Sequence, residues 1–134
     1  MKIEFQNEKI IVYLYRYVLD LENVEKLNKE VRNLFVKLIK TYNIDFFGYS
    51  KVHIYNNKKY GSILEIEKIY NNEFNREIID LKLVIHEDTI FKFVFDDKYF
   101  DELEYFKGKF YLDMDKVNNL YKYLEFGKVI YCPK

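Results

Sequence analysis

The stretch from Leu21 to Tyr42 constrains the fold more than any other part of the chain. Val24, Leu27, Val31, Leu34, Phe35, Leu38 and Tyr42 recur at three- and four-residue steps, which puts them on one stripe of a helix. Glu22, Glu25, Lys26, Lys29, Arg32, Lys37 and Lys40 take the opposite face, with Glu22 and Glu25 each four residues before a lysine. Asp20 is the expected N-cap, so the pattern predicts one helix over about 21–42. A helix with a single apolar side must bury it, and the rest of the chain has to supply the surface.

That surface reads as strands. Ile3–Gln6 and Lys9–Val18 read as two strands joined at Asn7-Glu8 or as one long strand kinked there; Ile11, Tyr13, Tyr15 and Tyr17 share one face and Val12, Leu14 and Val18 the other. Phe46–Tyr55 and Tyr60–Tyr70 flank a polar turn at Asn56–Lys59. A three-residue loop there sets Val52 opposite Leu64 and Lys51 opposite Glu65.

Asn71–Glu77 is a polar connection. Beyond it, Ile79, Leu81, Leu83 and Ile85 alternate with polar residues, as do Phe91, Phe93 and Phe95. Those two rows predict a second hairpin, with Leu83 opposite Phe93, as the floor beneath the helix. Lys98–Phe106 reads either as a short helix or loop, or as a strand paired through Lys107-Gly108 with Lys109–Leu112. A short helix is expected over about 116–125, capped by Asp113 or Asp115 and stopped by Gly127 in a positive-φ conformation, before a last strand at Val129–Cys132.

The resulting expectation is an α+β fold. A mostly antiparallel sheet built from hairpins carries the long helix and the short C-terminal helix on one side, in a single domain over residues 1–134.

Composition excludes more than it identifies. The 22 basic and 22 acidic side chains cancel, so no global field draws the chain to nucleic acid or an anionic membrane. No apolar run approaches the roughly 20 residues of a membrane span, and the first residues lack the layout of a signal peptide. Cys132 is the only cysteine, which excludes an internal disulfide, so the expected compartment is the cytoplasm. The scattered glycines build no phosphate-cradling loop, and no cofactor or metal site is expected.

The 14 Tyr and 12 Phe exceed what a core of this size needs, and tyrosine is enriched at protein interfaces. The candidate interaction surface is Tyr13, Tyr15 and Tyr17 together with Tyr49, Lys51, His53 and Tyr55. The expected function is therefore non-enzymatic protein–protein interaction, as an adaptor, regulator or inhibitor, with self-association included.

Two other classes compete with it. Tyr49, Lys51, Tyr55, Lys58, Lys59 and Tyr60 interleave basic and aromatic residues as a nucleic-acid-binding hairpin would. His53 with Glu65 could centre a metal-dependent hydrolase. His86 stands in the other predicted hairpin, and no spacing brings it to His53.

Overall fold

The computed structural model describes residues 1–45, 48–70, 79–114 and 119–133. Asn7-Glu8 closes the first hairpin, between β1 (Lys2–Gln6) and β2 (Lys9–Tyr15). β2 stops three residues short of the expected Val18. Arg16 adopts φ 62°, outside extended space, and the chain turns there with Tyr17 N–H donating to Leu14 O at 3.2 Å.

Helix α1 runs over Val24–Tyr42, with its start three residues later than expected. Asn23, not Asp20, is the N-cap: its side chain accepts from Lys26 N–H at 3.1 Å. Asp20 Oδ1 instead accepts from Glu22 N–H in a turn that precedes the helix. At the other end Asn43 takes the left-handed conformation, φ 54°, and its N–H reaches Ile39 O. Leu27, Val31, Phe35 and Leu38 are buried, as the stripe requires, whereas Val24 and Tyr42 at its two ends are exposed. Each buried member contributes on the order of 1.5–3 kcal/mol.

β3 (Gly48–Asn57) and β4 (Gly61–Tyr70) form the expected hairpin with the expected three-residue loop, but the loop is Lys58–Tyr60, one residue further on. Val52 therefore faces Ile66 and Lys51 faces Glu67, two residues from the expected partners, while every side chain keeps its face. Turn chemistry and the neighbouring strand together fix the position of the turn. Asn57 Oδ1 accepts from both Lys59 and Tyr60 N–H, and Gly61 follows at φ 116°. A Cβ at Gly61 would lie 2.1 Å from Leu14 O, so the approach of β2 admits only glycine.

The expected hairpin of Ile79–Ile85 with Phe91–Phe95 does not form. β5 (Ile79–His86) runs parallel to β3, pairing Leu83 with Val52 and His86 with Tyr55. The five-stranded order is β1-β2-β4-β3-β5. Two alternating apolar rows separated by a short polar stretch suit a hairpin, but they also suit strands of different sheets, and β3 offered an open edge. Ile79, Leu81, Leu83 and Ile85 join Val12, Ile54, Leu64 and Ile66 in the core beneath α1.

β6 (Thr89–Phe95) instead sits between β8 (Lys109–Asp113) and β9 (Lys128–Pro133) in a second, antiparallel sheet of order β7-β8-β6-β9. β7 (Glu104–Phe106) pairs with β8 through Lys107-Gly108, the strand alternative for that segment. Helix α2 covers Leu120–Leu124 and is capped by Asn119, whose side chain accepts from Tyr121 N–H; Asp113 belongs to β8, and Asp115 lies outside the described residues. Gly127 ends this helix, its N–H on Tyr123 O, without a positive φ. Glycine is needed there for space, since a Cβ would meet Phe95 Cε1 at 2.6 Å. Phe91, Phe93, Phe95, Leu103, Leu112, Met114, Leu120 and Tyr123 are the buried hydrophobic side chains among the described residues of this part.

Both sheets are mostly or wholly antiparallel, with one long helix and one short C-terminal helix, an α+β fold. Contacts divide the chain into two compact units, Met1–Glu87 and Asp88–Lys134. The Asn71–Glu77 connection lies outside the described residues.

Candidate functional site

Two features of the first unit carry chemistry. One is the sheet face opposite α1. Register sets Tyr13, Ile63, Tyr55 and His86 side by side across β2, β4, β3 and β5, and the adjoining row holds Ile11, Glu65, His53 and Val84. A third row carries Lys9, Glu67, Lys51 and Lys82.

His53 and His86, unconnected by sequence spacing, meet diagonally on this face. His53 Nδ1 lies 3.0 Å from His86 Nε2, and the ring planes differ by 18°. The Tyr55 ring lies flat against His86, centroids 4.4 Å apart and planes 5° apart. Burial pushes the His53 imidazole below its ordinary value; Glu65 pulls it up, while His86, Lys51 and Lys9 push it further down. Burial likewise raises the Tyr55 hydroxyl, with Glu65 adding to it.

Glu65 is engaged by Lys9, whose Nζ donates to Oε1 at 2.9 Å, and this bond raises the lysine above its usual value. The carboxylate that could have served His53 as a catalytic partner is thus held in an ion pair. Among the described residues no three His, Cys, Asp or Glu side chains gather where they could hold a metal ion.

The tyrosines of the candidate surface part company. Tyr13 is only 2 % exposed, and its hydroxyl donates to Tyr60 O at 3.0 Å; burial drives its pKa far above the ordinary tyrosine range. Tyr15 meets Tyr13 edge to face at 5.6 Å. Tyr17, beyond the Arg16 turn, is 55 % exposed. Tyr49 and Lys51 are half-buried on β3, beside Tyr70 and Glu67 of β4. Tyr60 is buried in the loop with Lys59 Nζ 5.3 Å from its ring centre, which removes it as a stacking platform for bases.

The second feature is a cavity of about 240 Å³ between the end of β2 and α1. Leu14, Tyr17, Leu19, Val31 and Leu34 line it, with Glu30 and Asn33 as its polar members. Its wall is held from inside the core. Leu19 N–H donates to Ser62 Oγ at 3.0 Å, Asn56 Nδ2 donates to Leu19 O at 2.8 Å, and the Ser62 hydroxyl donates to Asn56 Oδ1. All three residues are buried, so the segment after β2 is fixed by a satisfied polar clamp.

Sequence reasoning found Tyr17 and missed the cavity, because Leu14, Val31 and Leu34 read as ordinary core positions. It also missed His86 as a neighbour of His53, since only the parallel pairing of β3 with β5 brings the two together.

Comparison with family models, with curated proteins and with solved structures found no match for this chain. No helix among the described residues is long and apolar enough to cross a membrane.

Proposed function

We infer that this chain is a non-enzymatic protein-interaction domain that receives an apolar anchor side chain of a partner in the cavity beside α1. The observation that carries this reading is the cavity itself, apolar-walled and bordered by the exposed Tyr17. Its volume of about 240 Å³ falls below the roughly 300–1,000 Å³ of small-molecule sites. A space of that size suits one buried side chain, and protein interfaces draw most of their affinity from a few such anchors.

Glu30 adds a chemical preference. An acidic group beside an apolar cavity favours a large apolar residue adjacent to Lys or Arg in the partner. The chain would act in the cytoplasm as an adaptor, regulator or inhibitor. The absence of a gathered catalytic set at His53 and Glu65 supports binding over catalysis only in that Glu65 is already paired with Lys9.

The test is selection from a displayed peptide library against the wild-type chain, with counter-selection on Leu34→Glu. Peptides carrying an apolar residue next to a basic one, bound by wild type and lost on Leu34→Glu and Tyr17→Ala, are the expected result. Selected peptides that bind all three proteins equally would overturn the reading. Light scattering across a dilution series separates the case in which the partner is a second copy: dimer mass that Leu34→Glu abolishes assigns the anchor to self-association.

A further inference from the structure

The nitrogens of His53 and His86 do more than lie close. Their ring centroids are 5.3 Å apart, which matches the 3.0 Å nitrogen separation plus one ring radius at each end. The two nitrogens therefore point at each other along the line joining the rings. With planes only 18° apart, the imidazoles lie edge to edge in nearly one plane, the geometry of a straight N–H···N hydrogen bond. Such a bond needs one ring nitrogen protonated and the other bare.

We propose that His53 and His86 form a proton-sharing latch that holds the C-terminal end of β5 against β3 and releases it when both rings become charged. His86 is the last residue of β5, and β5 is an edge strand whose only described strand neighbour is β3. With both rings neutral, one donates and the other accepts. One added proton leaves a charge-assisted bond between an imidazolium and a neutral ring. A second proton turns the acceptor into a donor, and two N–H groups with like charges then face each other.

The surroundings set how hard that second proton is to add. Burial disfavours charge on His53 first; Glu65 of β4 favours it, whereas His86, Lys51 of β3 and Lys9 of β2 disfavour it. Lys9 is bound to Glu65, which offsets part of the carboxylate's pull. Tyr55 of β3 stacks on His86 from within the same row and holds that ring in register. Both histidines are half-buried, so solvent protons reach them. The molecule thus carries, on the strand edge of its first sheet, a contact whose sign reverses when the second ring takes a proton.

Two measurements on the intact chain test the latch. In imidazole nitrogen NMR the wild-type pair titrates in two coupled steps separated by more than about one pH unit, and the remaining ring titrates in a single step in His86→Phe or His53→Gln. Two independent single-step curves in the wild type would overturn the proposal. Native-state hydrogen exchange, corrected for intrinsic rates, gives the mechanical half: the opening constant of the Val84, Ile85 and His86 amides rises about tenfold on going from about pH 8 to pH 5, the worth of one hydrogen bond. His86→Phe keeps the stack on Tyr55 and removes the second ring's nitrogens, so only the smaller rise that burial of His53 gives is left, and its opening constant rises less than the wild type's. An unchanged wild-type constant, or the same rise in His86→Phe, would remove the latch.

Discussion

Asn56 and Ser62 face each other as the last inward pair before the β3–β4 loop, and together they bind both backbone polar groups of Leu19. The Ser62 hydroxyl accepts from Leu19 N–H and donates to Asn56 Oδ1, while Asn56 Nδ2 donates to Leu19 O. A loop segment that would otherwise bury its backbone unpaired is thereby fixed in the core. It is this clamp that positions the cavity wall next to α1.

Ser62→Ala is expected to cost about 1–3 kcal/mol, because it leaves Leu19 N–H and Asn56 Oδ1 buried with no partner in place of the hydroxyl. Urea denaturation measures it as a lowered midpoint at constant slope. The same variant should weaken any ligand of the cavity, since Leu19 forms part of its lining.

Gly61 and Gly108 both have positive φ, 116° and 84°, but differ in their surroundings. Gly108→Ala meets no atom within 4 Å and should cost about 1 kcal/mol of backbone strain. Gly61→Ala sets a methyl group 2.1 Å from Leu14 O, so β2 must retreat, and the loss should exceed about 2 kcal/mol. Thermal midpoints of the two variants, measured side by side, decide whether the difference comes from contact or from φ alone.

Much of the first sheet was legible because period and turn chemistry act locally. The α1 stripe and the facing of β3 and β4 both follow from spacing that the sequence displays, and the break at Asn7-Glu8 is marked there even though its being a hairpin turn is not. The errors share a cause. Asp20 and Asn23 are both good caps three residues apart, and only tertiary packing chooses between them. The loop of β3 and β4 moved by one residue because Gly61 had to pass Leu14 O, a contact some 47 positions apart in the chain.

β5 was given the wrong partner strand for the same reason. Alternation reveals which of its faces is apolar but not which strand it will join, and a parallel partner is reached through a connection that leaves no local mark. The site suffered most from this. His53 was found on its own strand, whereas its partner His86 depends wholly on the β3–β5 pairing.

Tyr13 gives an alkaline prediction. Its buried hydroxyl is held protonated well above the ordinary tyrosine value of about 10. The unfolded chain therefore loses this proton first: the contribution is complete below pH 10 or so and is lost as pH rises beyond it. Tyr13→Phe should lose about 0.5–1.5 kcal/mol at neutral pH, at the low end because Tyr60 O still accepts from Arg16 N–H. In exchange, its stability should fall less steeply than the wild type's between about pH 9 and 11, as followed by urea midpoints.

Ser50 supplies the opposite case to Ser62. Both serines are fully buried in the first unit, one on β3 and one on β4. Ser62 Oγ is bonded on two sides, whereas Ser50 Oγ has no hydrogen-bond partner among the described residues. Burying a hydroxyl without a bond costs free energy that an alanine of nearly the same volume does not. Ser50→Ala should therefore leave stability unchanged or raise it by up to about 1 kcal/mol, with an unchanged urea slope. The same atom is deleted in the two variants, and the expected effects have opposite signs because burial alone does not make a hydroxyl useful. A fall in the Ser50→Ala midpoint as large as that of Ser62→Ala would show that the Ser50 hydroxyl is bonded in the folded chain.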